Sequence, residues 1–309
     1  MNSRAWTLFA AVSVVWGVPY LLIKIADDGG VPPVVLAWGR MVLAAAILLT
    51  LALRAGSLRG LRTRWRWLVC YAVFELAIPF PLIALGEKHV ASSLAAIIIA
   101  TVPLIVAVLS FWFAPAERVR GRRLVGLVIG LAGVALLVGV QATGSTGSLL
   151  AAGGLLIAAA GYAVGPMIVS RRLGGFDPRA TMGTTLAIAA IVLTPLAVSD
   201  WPARTPSAGA LAAGAALAVF CTALAFVLMT LLIGEIGPSR AVVITYVNPV
   251  IALILGVALL GEHPGPGSIG GLILILAGCW LSTRSSPEPS LSPPEPPSFT
   301  EPRAVSATE

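Results

Sequence analysis

Charge is scarce in this 309-residue chain: Asp, Glu, Lys and Arg make up 11 % of it. Lysine occurs only at Lys24 and Lys88, so no GxxxxGK[ST] phosphate-binding loop can be written and an ATP-driven pump is not expected. HExxH is absent, and both histidines, His89 and His263, fall between apolar runs rather than inside them. Intramembrane protease chemistry lacks its base or second carboxylate, because Glu75 is the single acidic residue deep within an apolar run. The three cysteines, Cys70, Cys221 and Cys279, lie in such runs without a CxxC partner, which supports neither a zinc site nor a disulfide framework. No enzyme, metal or cofactor is therefore expected.

What the chain has instead is apolar surface, with 58 % hydrophobic residues, too much for a soluble domain to hide. Apolar runs recur near 6–25, 34–53, 67–86, 92–113, 123–141, 149–170, 180–199, 208–232, 240–260 and 267–283. About 20 helical residues span the hydrocarbon of a bilayer, so these runs predict ten transmembrane helices. They do not alternate apolar with polar, which excludes a β-barrel. The first run continues to Lys24 and is too long for the apolar core of a cleaved signal peptide, so it is read as a retained helix.

The net charge of +7 invites a nucleic-acid partner, but the basic residues cluster between apolar runs, where the positive-inside rule puts them. A cytoplasmic N-terminus places fifteen basic residues in inside loops, among them Arg54, Arg59, Arg62, Arg64 and Arg66, and only Lys24, Lys88 and Arg204 outside. Both termini are thus expected to be cytoplasmic, with lipid as the surrounding partner and no nucleic acid. Trp6, Trp65, Trp67, Trp112, Trp201 and Trp280 fall at run ends, as an interfacial aromatic belt requires.

The chain also repeats itself. Ser93-Leu94-Ala95, Pro103, Glu117 and Leu131-Ala132-Gly133 recur as Ser239-Arg240-Ala241, Pro249, Glu262 and Leu276-Ala277-Gly278, offset by 146 and then 145 residues. Five runs per half is an odd number, so the second half enters the membrane in the opposite sense. Loop charge agrees, since the five arginines between runs two and three face only Arg204 and Asp200 in the equivalent loop. The expected fold is an all-α integral membrane protein of two inverted five-helix repeats, residues 1–141 and 142–284, around a mid-membrane site. Residues 285–309, rich in Pro, Ser and Glu, are expected to be a disordered cytoplasmic tail. Gly126/Gly130 and Gly161/Gly165 are GxxxG pairs suited to close helix approach.

On Trp16-Gly17, Arg40, Gly86-Glu87, Val90-Ala91-Ser92-Ser93-Leu94-Ala95-Ala96, Pro103, Glu117-Arg118, Gly126–Gly133, Asn248-Pro249 and Gly261-Glu262, the chain resembles the EamA-type carriers of the drug/metabolite transporter superfamily. The resemblance covers residues 6–283. It implies an inner-membrane carrier, often an exporter of amino acids or other small metabolites, and does not choose the solute.

Glu75 is the first candidate site residue. A charge at the bilayer centre costs about 2.5–3.5 kcal/mol on insertion scales, so it should face protein or a water-filled cavity. It is either a proton- or amine-binding carboxylate or a partner for Arg40, whose depth in the membrane is within an arginine's reach. Trp16 and Tyr20, one turn apart, would line a cavity and stack on solute, or pack against neighbouring helices; Tyr162 is the repeat equivalent of Trp16. Thr245 and Asn248 would present polar groups to the same cavity. Pro103 and Pro249, and more loosely Pro19 and Pro166, occupy equivalent helices as hinges for alternating access or as static kinks. Glu87, Glu262 and Glu117 are read as surface-loop residues that cap or anchor helix ends. The leading expectation is a monomeric secondary transporter exporting a small metabolite, driven by a solute gradient or by protons. Flipping of a lipid-linked substrate and a non-transporting role in membrane assembly stand as alternatives.

Overall fold

The computed structural model describes residues 3–113, 121–142, 145–236 and 244–283. Glu117, the Ser239-Arg240-Ala241 stretch and the tail from Ser285 lie outside the described residues. Among the described residues there is no strand. The helices are α1 (Ser3–Asp28), α2 (Pro33–Arg54), α3 (Leu61–Gly86), α4 (Ser92–Ile99, resuming as Val102–Phe113), α5 (Arg122–Ala142), α6 (Thr146–Ile168), α7 (Pro178–Ser199), α8 (Ala208–Ile236), α9 (Ile244–Leu260) and α10 (Pro266–Thr283). The first eight contain stretches long and apolar enough to cross a membrane; α9 and α10 are shorter apolar helices. Leu150 and Ile191 are each 72 % exposed on the outside of the bundle, an arrangement suited to lipid rather than water.

Local sequence sets where the helices start. Ser145, Asp177 and Ser207 cap α6, α7 and α8 by accepting from the backbone N–H of Ser148, Arg179 and Ala210. Prolines interrupt the first half more than the second. α1 breaks between Gly17 and Pro19, and α4 breaks at Ala100–Thr101 just ahead of Pro103. At that break the Thr101 hydroxyl donates to the Ile98 carbonyl (2.7 Å) and the Cys279 thiol to the Ala100 carbonyl (3.5 Å). Pro166 and Pro249, by contrast, sit inside continuous helices.

Packing crosses between the halves: α2 lies on α7, α5 on α10, α3 on α6, α1 on α8 and α9, and α4 on α6 and α9. Exchanging α1–α5 for α6–α10 maps this set of pairs onto itself. The α5–α10 contact is close enough that a Cβ on Gly278 would overlap the Gly130 backbone, and the Gly126 carbonyl lies beside it. Two large apolar clusters result, one around α4 and α6 and one around α2, α3 and α7. Tyr162 packs against both.

Candidate functional site

Two helices widen into π-helical turns where these clusters meet. Val73–Ala77 in α3 and Val219–Leu224 in α8 both interrupt the regular ladder, and their starts are 146 residues apart. The sequence repeats there as well: Val73-Phe74, Ala77 and Phe80 return as Val219-Phe220, Ala223 and Phe226. A π turn inserts one residue, swings the side chains and loosens the i→i−4 ladder, and such turns concentrate at functional positions. A third π turn, Val169–Leu173, comes directly after α6.

The turn in α3 carries Glu75, and α6 makes room for it. A Cβ on Gly161 would overlap the Phe74 carbonyl, and one on Gly165 would overlap the Glu75 carboxylate. The expected GxxxG pair of α6 is therefore the seat of the widened turn. Glu75 is half-buried, and its Oε2 has no hydrogen-bond partner among the described residues.

The turn in α8 carries Cys221 and Thr222. Arg40 Nε donates to Thr222 Oγ1 at 2.6 Å, and Thr222 in turn donates to the Leu217 carbonyl at 2.9 Å. The Arg40 guanidinium lies 4.0 Å from the Phe80 ring centroid, a cation–π contact. No ion pair joins Arg40 to Glu75. The structural alternative of an Arg40–Glu75 pair is thus not formed, because Thr222 and Phe80 hold the guanidinium while the π turn aims Glu75 at α6. Tyr162 stands between the two charges and interacts electrostatically with both; Tyr20 interacts with Tyr162 and Arg40.

Of the sequence candidates, Tyr20, Arg40, Glu75 and Tyr162 therefore form one group. Trp16 borders it, packed edge-to-face on Phe226 with ring centroids 5.9 Å apart. Asn248 lies against α1, and with its amide nitrogen turned that way it donates to the Ser13 carbonyl (3.3 Å) and the Ile244 carbonyl (3.1 Å). Thr245 is half-buried one turn earlier. Phe80, Phe226 and Thr222 were not among the candidates, although the repeated Val-Phe…Ala…Phe pattern marked the stretch that carries them.

At the end of the bundle away from Ser3, two further carboxylates meet. Glu262, from the loop between α9 and α10, accepts from the backbone N–H of Ser92 (2.6 Å) and Ser93 (3.1 Å) through its two oxygens. It caps α4 across the two halves, as a helix-end role requires. Glu87 is not a surface residue: it is 2 % exposed, because the loop after α3 turns into the bundle instead of away from it. Pockets of about 210 and 260 Å³ lie at this end, lined by residues such as His89 and Gly147 and by Glu262 and His263. Neither is lined by Tyr20, Arg40, Glu75 or Tyr162.

The model of the EamA-like transporter family matches residues 4–139 and again 148–284. The chain belongs to the EamA-like transporter family. It is 30 % identical over 262 residues to the "Uncharacterized inner membrane transporter YedA" of Escherichia coli K12, covering 82 % of this chain and 81 % of that one. It is 25 % identical over 288 residues to an "Uncharacterized transporter" of Archaeoglobus fulgidus, covering 92 % and 98 %. The "Uncharacterized transporter YvbV" of Bacillus subtilis is likewise 25 % identical over 290 residues, covering 92 % and 93 %. A crystal structure described only as that of a protein superposes with a TM-score of 0.65 at 21 % identity, over 92 % of this chain and 98 % of that one, and supports the fold alone. This member of the EamA-like family is a multi-pass membrane transporter.

Proposed function

We propose that this EamA-like protein is a monomeric secondary carrier of the inner membrane that exports a small zwitterionic metabolite, an amino acid or related compound, by alternating access. The observation that carries the reading is the unpaired opposition of Arg40 and Glu75 across Tyr162. Arg40 retains guanidinium N–H groups with no acceptor among the described residues, and Glu75 retains a buried oxygen with no donor. A solute with one carboxylate and one ammonium answers both needs at once. Tyr20 and the Trp16–Phe226 pair add aromatic surface beside it.

The exchange-symmetric packing and the reversed loop charge support ten spans in two inverted repeats, with both termini cytoplasmic. The two pockets lie away from the group, so entry of solute requires α3 and α8 to part from α6 and α1. The two π turns and the Pro19 and Pro103 breaks are the points where such motion meets least backbone resistance, with Pro166 and Pro249 as their continuous counterparts. Coupling to a proton or to the solute's own gradient fits a chain without a nucleotide-binding loop.

Purified protein in vesicles preloaded with candidate amino acids, amines and nucleosides tests the reading through counterflow of labelled solute. Saturable flux of a zwitterion that is lost in Glu75→Gln supports it. Absence of flux for every solute and gradient, from protein that folds, overturns it.

A further inference from the structure

Glu87 has a use that the central group does not explain. The Ser92 hydroxyl donates to Glu87 Oε2 at 2.6 Å, while Glu87 Oε1 is buried with no partner among the described residues. Ser92 is also the first residue capped by Glu262, so two carboxylates from opposite halves bind one serine, one through its side chain and one through its backbone. The same hydroxyl lies 3.3 Å from the Tyr20 carbonyl, which seats this junction directly on the central group. A Cβ on Gly256 would overlap the Glu262 carboxylate, and the Glu262 N–H donates to the Gly256 carbonyl at 3.0 Å; the loop is built to hold that carboxylate inward.

The cations nearby are already committed. On α1, Lys24 pairs with Asp28 at 2.8 Å; on the loop after α3, Lys88 pairs with Asp27 of α1 at 3.4 Å. Glu87 thus interacts with Tyr20, Lys24 and Asp27 from α1 and with Glu262 from the α9–α10 loop, where His263 comes next in sequence, and Lys88 and His89 follow on its own loop. α4 offers only the hydroxyls of Ser92 and Ser93, and α6 presents Gly147, Leu150 and Ala151, none of them charged. Two lysines stand against four carboxylates.

We propose that Glu87 is a proton-binding site whose occupancy keeps this end of the carrier shut. When Glu87 is neutral, Ser92 bridges both carboxyl groups and α4 stays docked through Glu262. When Glu87 ionises, its buried charge is set beside the half-buried Glu262 carboxylate, the Glu262 cap on Ser92 and Ser93 releases, and water reaches Tyr20. Burial holds the Glu87 carboxyl well above the usual carboxylate range, and Glu262 and Asp27 add to this against the Ser92 hydrogen bond and Lys24. Proton binding therefore favours the shut form, and that preference is lost as pH rises through the raised value. With both termini cytoplasmic this is the outer end, so external pH sets how readily the carrier opens outward. The inference deepens the carrier reading and rests on it for the meaning of opening, but its test needs no solute.

Hydrogen exchange of the amides at 92–96, corrected for intrinsic exchange, is measured against pH on the full chain in detergent. Protection should fall by up to about tenfold per pH unit once Glu87 titrates, the limit set by release of one proton. In Glu87→Gln, protection should stay high and lose its pH dependence; in Glu262→Gln it should be low throughout. Independently of any variant, carbodiimide labelling with peptide mapping of the wild-type protein should find Glu87 modified at acid pH and progressively less so as pH rises, with its labelling lost at higher pH than that of exposed carboxylates. Labelling of Glu87 that falls away at the same pH as that of exposed carboxylates, or pH-dependent protection that persists in Glu87→Gln, overturns the proposal. Failure of transport with these results intact overturns the carrier reading alone.

Discussion

The π turn of α3 and the π turn of α8 bend equivalent helices at equivalent places, yet they present different chemistry to the centre. In α8, Thr222 both donates and accepts, and its fully buried side chain fixes Arg40. In α3, Glu75 holds an oxygen that nothing among the described residues satisfies. A duplicated backbone has thus become one anchoring turn and one waiting turn. The first is expected to govern stability and the second to govern transport.

That division can be broken by substitution. Glu75→Gln should lower initial transport rates by about 10- to 100-fold, the value of a charge-assisted hydrogen bond to solute, while the protein still folds. Vesicle counterflow checks this, and unchanged flux would remove Glu75 from the site. Thr222→Val should leave Arg40 Nε without its acceptor and destabilise the protein by about 1.5–3 kcal/mol in thermal or denaturant unfolding. Equal effects of both variants on flux would erase the contrast between the turns.

Gly165→Ala should destabilise by about 1–3 kcal/mol through overpacking. The penalty should shrink when Glu75→Ala removes the carboxylate that the new methyl meets; a penalty identical in both backgrounds would mean that α6 does not seat the α3 turn.

The smallest effect belongs to a contact far from both turns. Asp177 caps α7 and bonds Arg179 at 2.7 Å, which holds its carboxyl down from 3.8 to about 2. A depressed value means stability that is full above 3.8 and lost as pH falls toward 2, but the 42 % exposure of the Arg179 side chain leaves the ion pair weak. Asp177→Ala should cost about 1 kcal/mol, mostly as a lost cap, and should flatten the acid limb of unfolding between those pH values.

Much of this architecture is legible in the sequence. Apolar runs locate the helices, the 146-residue offset locates the halves, and Glu75 stands out because nothing else acidic lies so deep. The missing part is rotation about helix axes. Depth alone matches Arg40 with Glu75, and one inserted residue turns the rest of a helix by about 100°. A comparison of depths therefore has no means of seeing that Thr222, not Glu75, meets the guanidinium. Glu87 escapes for a different reason. A residue directly after Gly86 at a helix end reads as surface loop, since loops generally run over the outside. Its burial depends on Ser92 and on Glu262, 175 positions further along the chain, and no local pattern encodes that distance.

The main helix pairs between the halves survive an exchange of halves, and this bears on how a direction of transport can evolve. Under the inverted arrangement proposed above, those contacts favour neither way of opening. A bias between import and export would come from twin positions whose chemistry differs, such as Glu75 against Cys221 or Arg40 against Leu186. Polarity in such a protein would then reside in side chains at these twin positions rather than in the scaffold that the halves share.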